Sequence, residues 1–561
     1  MGIVMKYLIF ILLVIIVLMI ISRGEEKRRM LMWRERIKNA FGDVPDQEYT
    51  SEYFEGLKGY YKSKKVDKGD IDDITFNDLD LKNIYMLLNN TGSSVGEEYL
   101  YYLLRQMNFD ENELKERDRI MNYFTEHEEE RIRFQLTMNR LGKLPNISVF
   151  EYMNRMKKLE KYSLGQHYFC IISLILSFGI IALEPKIGIL AVIATISNNI
   201  YQYYKRKGAV ENYFKTLSFI VRILRSVDEL NKNKDPFLQP YVDKMVEAAK
   251  NFGYVKRNSK WISCGNSMNG SLVDSLLDYE RMLFHTDLIK FSKMVEIINQ
   301  NSEHLEQIYK TIGYLESMVA AASFRELLDY YCVPELVKSN KTFVEAKDLY
   351  HPLIDEPVAN TISENRSVLI TGSNASGKST FIKTLAINAI LSQTIYTSTS
   401  HSYRGNYYQV FTSMALRDDL FNNESYYIVE IKSLKRILDA VNDDTPILCF
   451  VDEVLRGTNT LERVAASAQI LKSLSNGYVL CFAATHDIEL TYILEKHFSN
   501  YHFQEEVVDN DVLFDYRLCS GRAQSRNAIK LLGMIGYKKE IIDQATNAAN
   551  DFLKNGTWET I

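Results

Sequence analysis

The chain has no C-x-x-C pair. Its six cysteines, Cys170, Cys264, Cys332, Cys449, Cys481 and Cys519, are scattered. This argues against a disulfide framework or a zinc site and reads as reduced thiols in the core of a cytoplasmic body. Proline is scarce, nine in 561 residues, beside many Leu, Ile and Tyr, which points to a helix-rich protein. A basic excess is missing too. The formal net charge is −5, so no global signature for nucleic acid is present. No internal repeat or low-complexity tract stands out. The length leaves room for about three or four domains.

What the chain does have is concentrated in Ser367-Val-Leu-Ile-Thr-Gly-Ser-Asn-Ala-Ser-Gly-Lys-Ser-Thr380. An apolar run ends at Thr371, Gly372-x-x-x-x-Gly377-Lys378-Ser379 follows, and Phe381, Ile382, Leu385 and Ile390 then repeat at helical spacing. Strand, glycine-rich loop and helix in that order predict a phosphate loop. Its nucleotide-binding residues are Gly372, Ser373, Asn374, Ala375, Ser376, Gly377, Lys378, Ser379 and Thr380. The glycines let backbone N–H groups turn towards phosphate oxygens, Lys378 reaches the β- and γ-phosphates, and the Ser379 hydroxyl is placed for Mg²⁺. The helix that follows adds its positive N-terminus.

A second buried-strand run, Ile447-Leu-Cys-Phe-Val451, ends in Asp452-Glu453. Asp452 would hold Mg²⁺ and Glu453 would polarise an attacking water. The polar loop Arg456-Gly-Thr-Asn-Thr460 follows, and a third run from Tyr478 to Ala484 ends in Thr485-His486, where an imidazole can meet the γ-phosphate. The predicted catalytic groups are thus Lys378, Glu453 and His486, the metal ligands Ser379 and Asp452, and the ligands ATP and Mg²⁺. This order of motifs is of the ATP-binding-cassette type.

Two stretches read as membrane segments. Residues 7–22 carry no charge and, with Gly2 to Met5, approach the ~20 residues of a bilayer span, with Lys6 able to snorkel. Arg23-Gly-Glu-Glu-Lys-Arg-Arg29 follows instead of a small-residue cleavage site, so an uncleaved anchor is expected. A second apolar block, Tyr168 to Ile200, is interrupted only by Glu184-Pro185-Lys186 and reads as a membrane hairpin, with a buried soluble hairpin as the alternative. Lys157, Lys158 and Lys161 precede it, Lys205-Arg206-Lys207 follow it, and Tyr201, Tyr203 and Tyr204 suit an aromatic belt. The three spans agree on one topology, with the N-terminus outside and residues 23–160 and 205–561 in the cytoplasm, and they make membrane lipid a partner.

Elsewhere, Asp72 to Asp80 is acidic and turn-like. A helix is expected from Val95 to Arg105, capped by Thr91 or Ser93, with Glu97 and Glu98 in its first turn. Further helices are expected over 111–141, 208–232 and 238–253. The strongest periodicity runs over 285–331, where Leu288, Phe291, Val295, Ile298, Leu305, Ile308, Ile312, Leu315 and Val319 repeat at three and four with a skip near Ser302. A projecting coiled coil and an ordinary bundle helix both fit. The expected fold is an α/β P-loop NTPase domain at 346–561, preceded by an all-α core and lever domain at 75–160 and 208–345. The hairpin at 161–207 interrupts that domain, and an anchor at 1–23 and a linker at 24–74 precede it.

The C-terminal half resembles the ATPase domain of the MutS family of DNA mismatch-repair proteins. The resemblance rests on Tyr350-His-Pro-Leu-Ile354 with Val358-Ala-Asn360, on Asp418 to Ile431 in length and in its Ser and Glu positions, and on Asp452 to Thr460. Ala484-Thr-His486 and Phe514-Asp-Tyr-Arg-Leu518 with Gly521 extend it. Ser94 to Leu100 and Ile312 to Met318 are similar to the family's helical core. The resemblance implies an ABC-type, MutS-like ATPase and a head-to-tail homodimer in which Ser425 of one subunit caps the γ-phosphate held by the other's phosphate loop. It also implies a DNA partner, bound by structure rather than sequence.

The departures put mismatch reading in doubt. The family's Phe-x-Glu wedge has no counterpart before the core. Phe109–Glu111, Phe343–Glu345 and Phe503–Glu505 lie elsewhere, Asn423 stands where the family often has Gly, and Tyr426-Tyr427 where it often has Thr-Phe. The basic runs at Lys27–Arg29, Lys62–Lys65, Lys157–Lys161 and Lys205–Lys207 mostly flank membrane segments, which suits topology or anionic lipid. The expected function is a membrane-anchored ATPase whose nucleotide cycle opens and closes helical levers on DNA. A transporter-type ATPase, against which the missing Leu-Ser-Gly-Gly-type signature argues, and a non-DNA regulatory ATPase of the membrane are the alternatives.

Overall fold

The computed structural model describes residues 24–25, 28, 30–64, 69–157, 164–259, 279–373, 376–414, 426–442, 444–455, 459–508, 511–523, 529, 532, 536–558 and 560. The expected first span, residues 7–22, lies outside them. The described residues fall into two compact units, the first within Met1–Lys65, Asn89–Tyr102 and Asn122–Ser323, the second within Val66–Leu88, Leu103–Met121 and Phe324–Ile561. The second unit therefore takes in two segments that the sequence reading leaves in the linker and the helical core.

The first unit is helical. The periodic region 285–331 forms two helices, Thr286–Gln300 and Ser302–Leu327, broken at Asn301, beside the skip in the pattern. Leu288, Phe291, Val295, Ile298, Leu305, Ile308, Ile312, Leu315 and Val319 are all buried, so these are bundle helices and not a projecting coiled coil. Helix Ser94–Arg105 starts where expected, with Ser93 Oγ accepting from Gly96 N at 3.2 Å. A distant acid completes the cap. The Glu316 carboxylate accepts from Gly92 N at 2.6 Å, Ser93 N at 2.8 Å and Ser93 Oγ at 2.6 Å. The two helices approach at glycines: a Cβ on Gly313 would stand 2.4 Å from Tyr99 Cβ.

The apolar block forms a helical hairpin in this unit. Helix Leu164–Leu183 meets helix Pro185–Asn233 across Glu184, with Pro185 in the first helical turn. The second arm runs on without a break into the helix expected at 208–232. Inside the hairpin Ser177 Oγ lies 3.2 Å from Thr195 Oγ1, and Asn199 Nδ2 donates to Cys170 O at 3.1 Å. Outside it Phe169, Ile172, Leu176, Leu183, Leu190 and Ile193 are exposed. Among the described residues one helix, Gly165–Leu183, is long and apolar enough to cross a membrane.

The second unit holds two sheets. The smaller, of order β1-β5-β2-β3, is built from β1 (Glu335–Val337), β2 (Val344–Leu349), β3 (Asn360–Glu364) and β5 (Ser402–Asn406). The larger, of order β10-β9-β4-β8-β7-β6, uses β4 (Ser367–Thr371), β6 (Gln409–Ser413), β7 (Ile447–Asp452), β8 (Val479–Thr485), β9 (Phe498–Val508) and β10 (Asp511–Ser520). From β6 to β9 it is parallel; β10 is antiparallel.

The early segments join this unit through polar side chains. The turn-like stretch at Asp72 is a short helix, Asp73–Asp78, capped by Asp72. It lies along the edge strand β6, where Asp78 Oδ2 accepts from Thr412 Oγ1 at 2.7 Å and Met414 N at 2.9 Å. Arg436 holds Asp72 through two 2.7 Å bonds and donates to Thr412 O. Arg325 likewise bonds Asp118 at 2.6 Å and Tyr396 O at 2.7 Å. The described cysteines are free, with Cys170, Cys449 and Cys481 buried.

Candidate nucleotide site

The site grows from the carboxyl ends of β4, β7 and β8. Each strand is a short, almost wholly buried apolar run, as a strand covered on both faces must be. Because β8 lies between β4 and β7, His486 emerges between the phosphate loop and Asp452-Glu453. The register sets Thr371 opposite Thr485 and Asp452 opposite Ala484. Candidate groups far apart in sequence are thereby placed at one end of the sheet.

Gly372 and Gly377 have φ of 152° and 104°, where side chains are rarely tolerated. A Cβ on Gly372 would stand 2.8 Å from Ser376 Oγ, and one on Gly377 3.2 Å from Tyr516 Cδ1. Lys378 is buried, and its Nζ donates to Gly372 O at 2.9 Å and Ser373 O at 2.6 Å. It reaches back across its own loop to acceptors that phosphate oxygens would replace. Helix Lys378–Thr394 starts at once, so its first N–H groups, which lack intrahelical partners, belong to the loop. Asn374, Ala375 and Ser425 lie outside the described residues.

Asp452 Oδ1 is buried and has no hydrogen-bond partner among the described residues. Such an oxygen is costly when bare. It and the Ser379 hydroxyl are both hard oxygen donors of the kind Mg²⁺ takes. Glu453 Oε1 lies 2.9 Å from His486 Nε2. Glu453 sits at φ 56°, held by its N–H to Ala484 O at 2.9 Å, and Leu455 sits at φ 59° with its N–H on the Glu430 carboxylate. Glu430, fully buried on helix Tyr426–Ala440, thus supports the strained turn that aims Glu453.

A cavity of about 520 Å³ opens beside the loop. Ser379, Thr380 and Glu453 line it, as do His351, Val358, Phe503 and Tyr516. Burial pushes the His351 imidazole down to about 4, so it is neutral near pH 7. Asn360 Nδ2 donates to Tyr516 O at 3.0 Å and its Oδ1 accepts from Leu518 N at 2.7 Å, across the irregularity in β10 that sets Tyr516 at φ 54°. Sequence reasoning assigns none of His351, Asn360, Phe503, Tyr516 or Glu430 to the site. Their one signal is that most fall in segments with family resemblance, since their roles come from contacts between distant positions.

Residues 368–553 match the family model of MutS domain V. About a third of the chain, within its C-terminal part, is thus similar to MutS domain V. Curated relatives agree with that MutS-like assignment. The DNA mismatch repair protein MutS of Methanosarcina mazei is 26% identical over 284 residues, covering 48% of this chain and 31% of its own length. MutS protein homolog 4 of Mus musculus is 30% identical over 267 residues, covering 44% and 27%. The DNA mismatch repair protein MutS of Ruminiclostridium cellulolyticum is 27% identical over 290 residues, covering 48% and 32%. The chain spans about a third or less of the length of the curated relatives it matches. The MutS-like region includes the phosphate loop, Asp452, Glu453 and His486.

Proposed function

We propose that the chain is a MutS-like ATPase that binds and hydrolyses ATP in a composite site shared by two copies. The placement of His486 between the phosphate loop and the Asp452-Glu453 turn carries this reading. ATP lays its triphosphate along Gly372–Thr380 and its base in the cavity lined by His351, Val358 and Tyr516. Lys378 leaves its carbonyl acceptors for the β- and γ-phosphates. Ser379 and Asp452 would hold Mg²⁺, which would supply charge neutralisation at the phosphate oxygens. Glu453 orients the attacking water and takes its proton, while His486 steadies Glu453 and faces the γ-phosphate. Ser425 of the second copy adds a hydroxyl to the γ-phosphate. ATP then joins two subunits, and hydrolysis releases them to move the helical unit. Mixing Lys378→Ala with Ser425→Ala chains tests this: each alone is inactive, and the mixture regains up to about a quarter of the specific activity if sites assemble at random from both chains. No regain would sink the shared site.

The same reading extends to DNA and to the membrane. The matched relatives include proteins named for DNA mismatch repair, and we infer a DNA ligand recognised by shape. The exposed apolar face of helix Leu164–Leu183, about 30 Å long at 1.5 Å per residue, suits a bilayer. One experiment covers both. In co-flotation with anionic liposomes, the full chain is expected to float and to carry branched DNA at low salt. A chain lacking both 1–23 and 165–204 is expected to stay at the bottom and still retain DNA on a filter. A full chain that does not float removes the lipid, and one that retains no DNA at any salt removes the DNA.

A further inference from the structure

Behind His486 lies an ion pair that the proposed reaction has not used. Arg463 Nη2 donates to Asp487 Oδ1 at 2.6 Å and its Nε to Asp487 Oδ2 at 3.0 Å, a fork-on-fork contact. Asp487 follows His486 directly and stands at the N-cap of helix Ile488–Ile493. An aspartate there ordinarily accepts from its own helix. Asp487 makes no such bond; its carboxylate is given to Arg463, while its N–H donates to Thr485 Oγ1 at 3.0 Å. The two side chains are only 24% and 14% exposed.

Arg463 is equally well anchored. Its helix, Thr460–Ser473, starts at Asn459, whose side chain accepts from Leu461 N at 2.9 Å. One turn further on, Ser467 Oγ donates to Val454 O at 3.3 Å, the carbonyl next to Glu453. A single helix is thus tied to the residue after Glu453 and to the residue after His486. The Asp487 carboxylate raises the guanidinium pKa above its ordinary value, against the opposing effect of burial, and Glu453 adds to the rise.

We propose that Arg463 and Asp487 are positioning residues for hydrolysis: their ion pair fixes the turn after β8 so that His486 Nε2 stays on the Glu453 carboxylate. The inference rests on the ATPase reading. It makes the distance between the two groups that face the γ-phosphate depend on a pair that touches neither nucleotide nor water.

The test uses the full chain and measures kcat, KM for ATP, affinity for a non-hydrolysable ATP analogue, and the melting temperature. Arg463→Ala is expected to lower kcat by about 10- to 100-fold, the scale of a misplacement near 1 Å, with analogue affinity held within about twofold. Arg463→Lys, which keeps the charge and one contact, is expected to recover part of that loss. Asp487→Asn gives the same reading if Arg463→Ala does not fold, and the double variant is expected to be no worse than the poorer single one. Wild-type kcat in Arg463→Ala, or a kcat loss matched by equal losses of analogue affinity and melting temperature, overturns the inference alone. An unsubstituted chain that does not hydrolyse ATP overturns the ATPase reading and this inference with it.

Discussion

Replacing Glu453 by Gln is expected to leave ATP bound and turnover almost abolished, with kcat down by about 10²- to 10⁴-fold, the usual contribution of a general base. The amide keeps the shape of the side chain and one oxygen for the contact His486 now makes at 2.9 Å. It cannot take a proton from water. The turn should survive, because it rests on bonds that spare the Glu453 side chain, Glu453 N to Ala484 O and Leu455 N to the Glu430 carboxylate. Lys378→Ala should behave differently and lose the nucleotide itself, because Lys378 is the cation that enters the loop. Filter retention of labelled ATP beside single-turnover hydrolysis separates the two. A Gln variant that turns over ATP near the wild-type rate would remove Glu453 from the reaction.

The second large effect concerns pH and the helical unit. Glu98 and Glu316 are both buried, and burial pushes them up to about 8 and about 7, against the hydrogen bonds that favour their charged forms. Glu98 accepts from Ser148 Oγ at 2.9 Å and Val149 N at 2.7 Å, as Glu316 does from Gly92 and Ser93. Both pKa values are raised, so the folded chain binds more protons than the unfolded one. The stability from this source is complete below the unfolded value near 4.5 and is lost as pH rises through about 7 for Glu316 and about 8 for Glu98. Within that window each group costs about 1.4 kcal/mol per pH unit. Urea unfolding followed by circular dichroism should therefore show a higher midpoint at pH 5.5 than at pH 8.5, with Glu98→Gln losing a large part of the slope. An unchanged slope in both Glu98→Gln and Glu316→Gln would show that these acids do not titrate in the window.

The parts legible in the sequence were those carried by local pattern. Val368 to Ile370, Leu448 to Val451 and Leu480 to Ala484 are continuous apolar runs because the strands are covered on both faces, and each appears as a strand in its expected place. Gly372 and Gly377 announced the loop because its backbone needs positive φ. Even the skip near Ser302 marked a real break. What could not be read depends on pairs far apart in the chain. Asp72 and Asp78 look like turn residues until Arg436 and Met414 are set beside them. Asn360 looks like a loop residue until it bonds Tyr516 and Leu518. The smaller sheet was missed because β1 has three residues and pairs with β5, almost seventy positions later.

The bond between Asp78 and the amide of Met414 has a practical consequence. An edge strand with free amides is a template on which another chain can pair. Thr75 and Asp78 occupy that template from within the molecule, taking the amides of Thr412 and Met414. A fragment begun after the hairpin would carry the whole phosphate site and still leave β6 bare. A well-behaved fragment of the second unit is therefore expected to need residues 66–88, a stretch from near the start of the chain that covers the edge of its larger sheet.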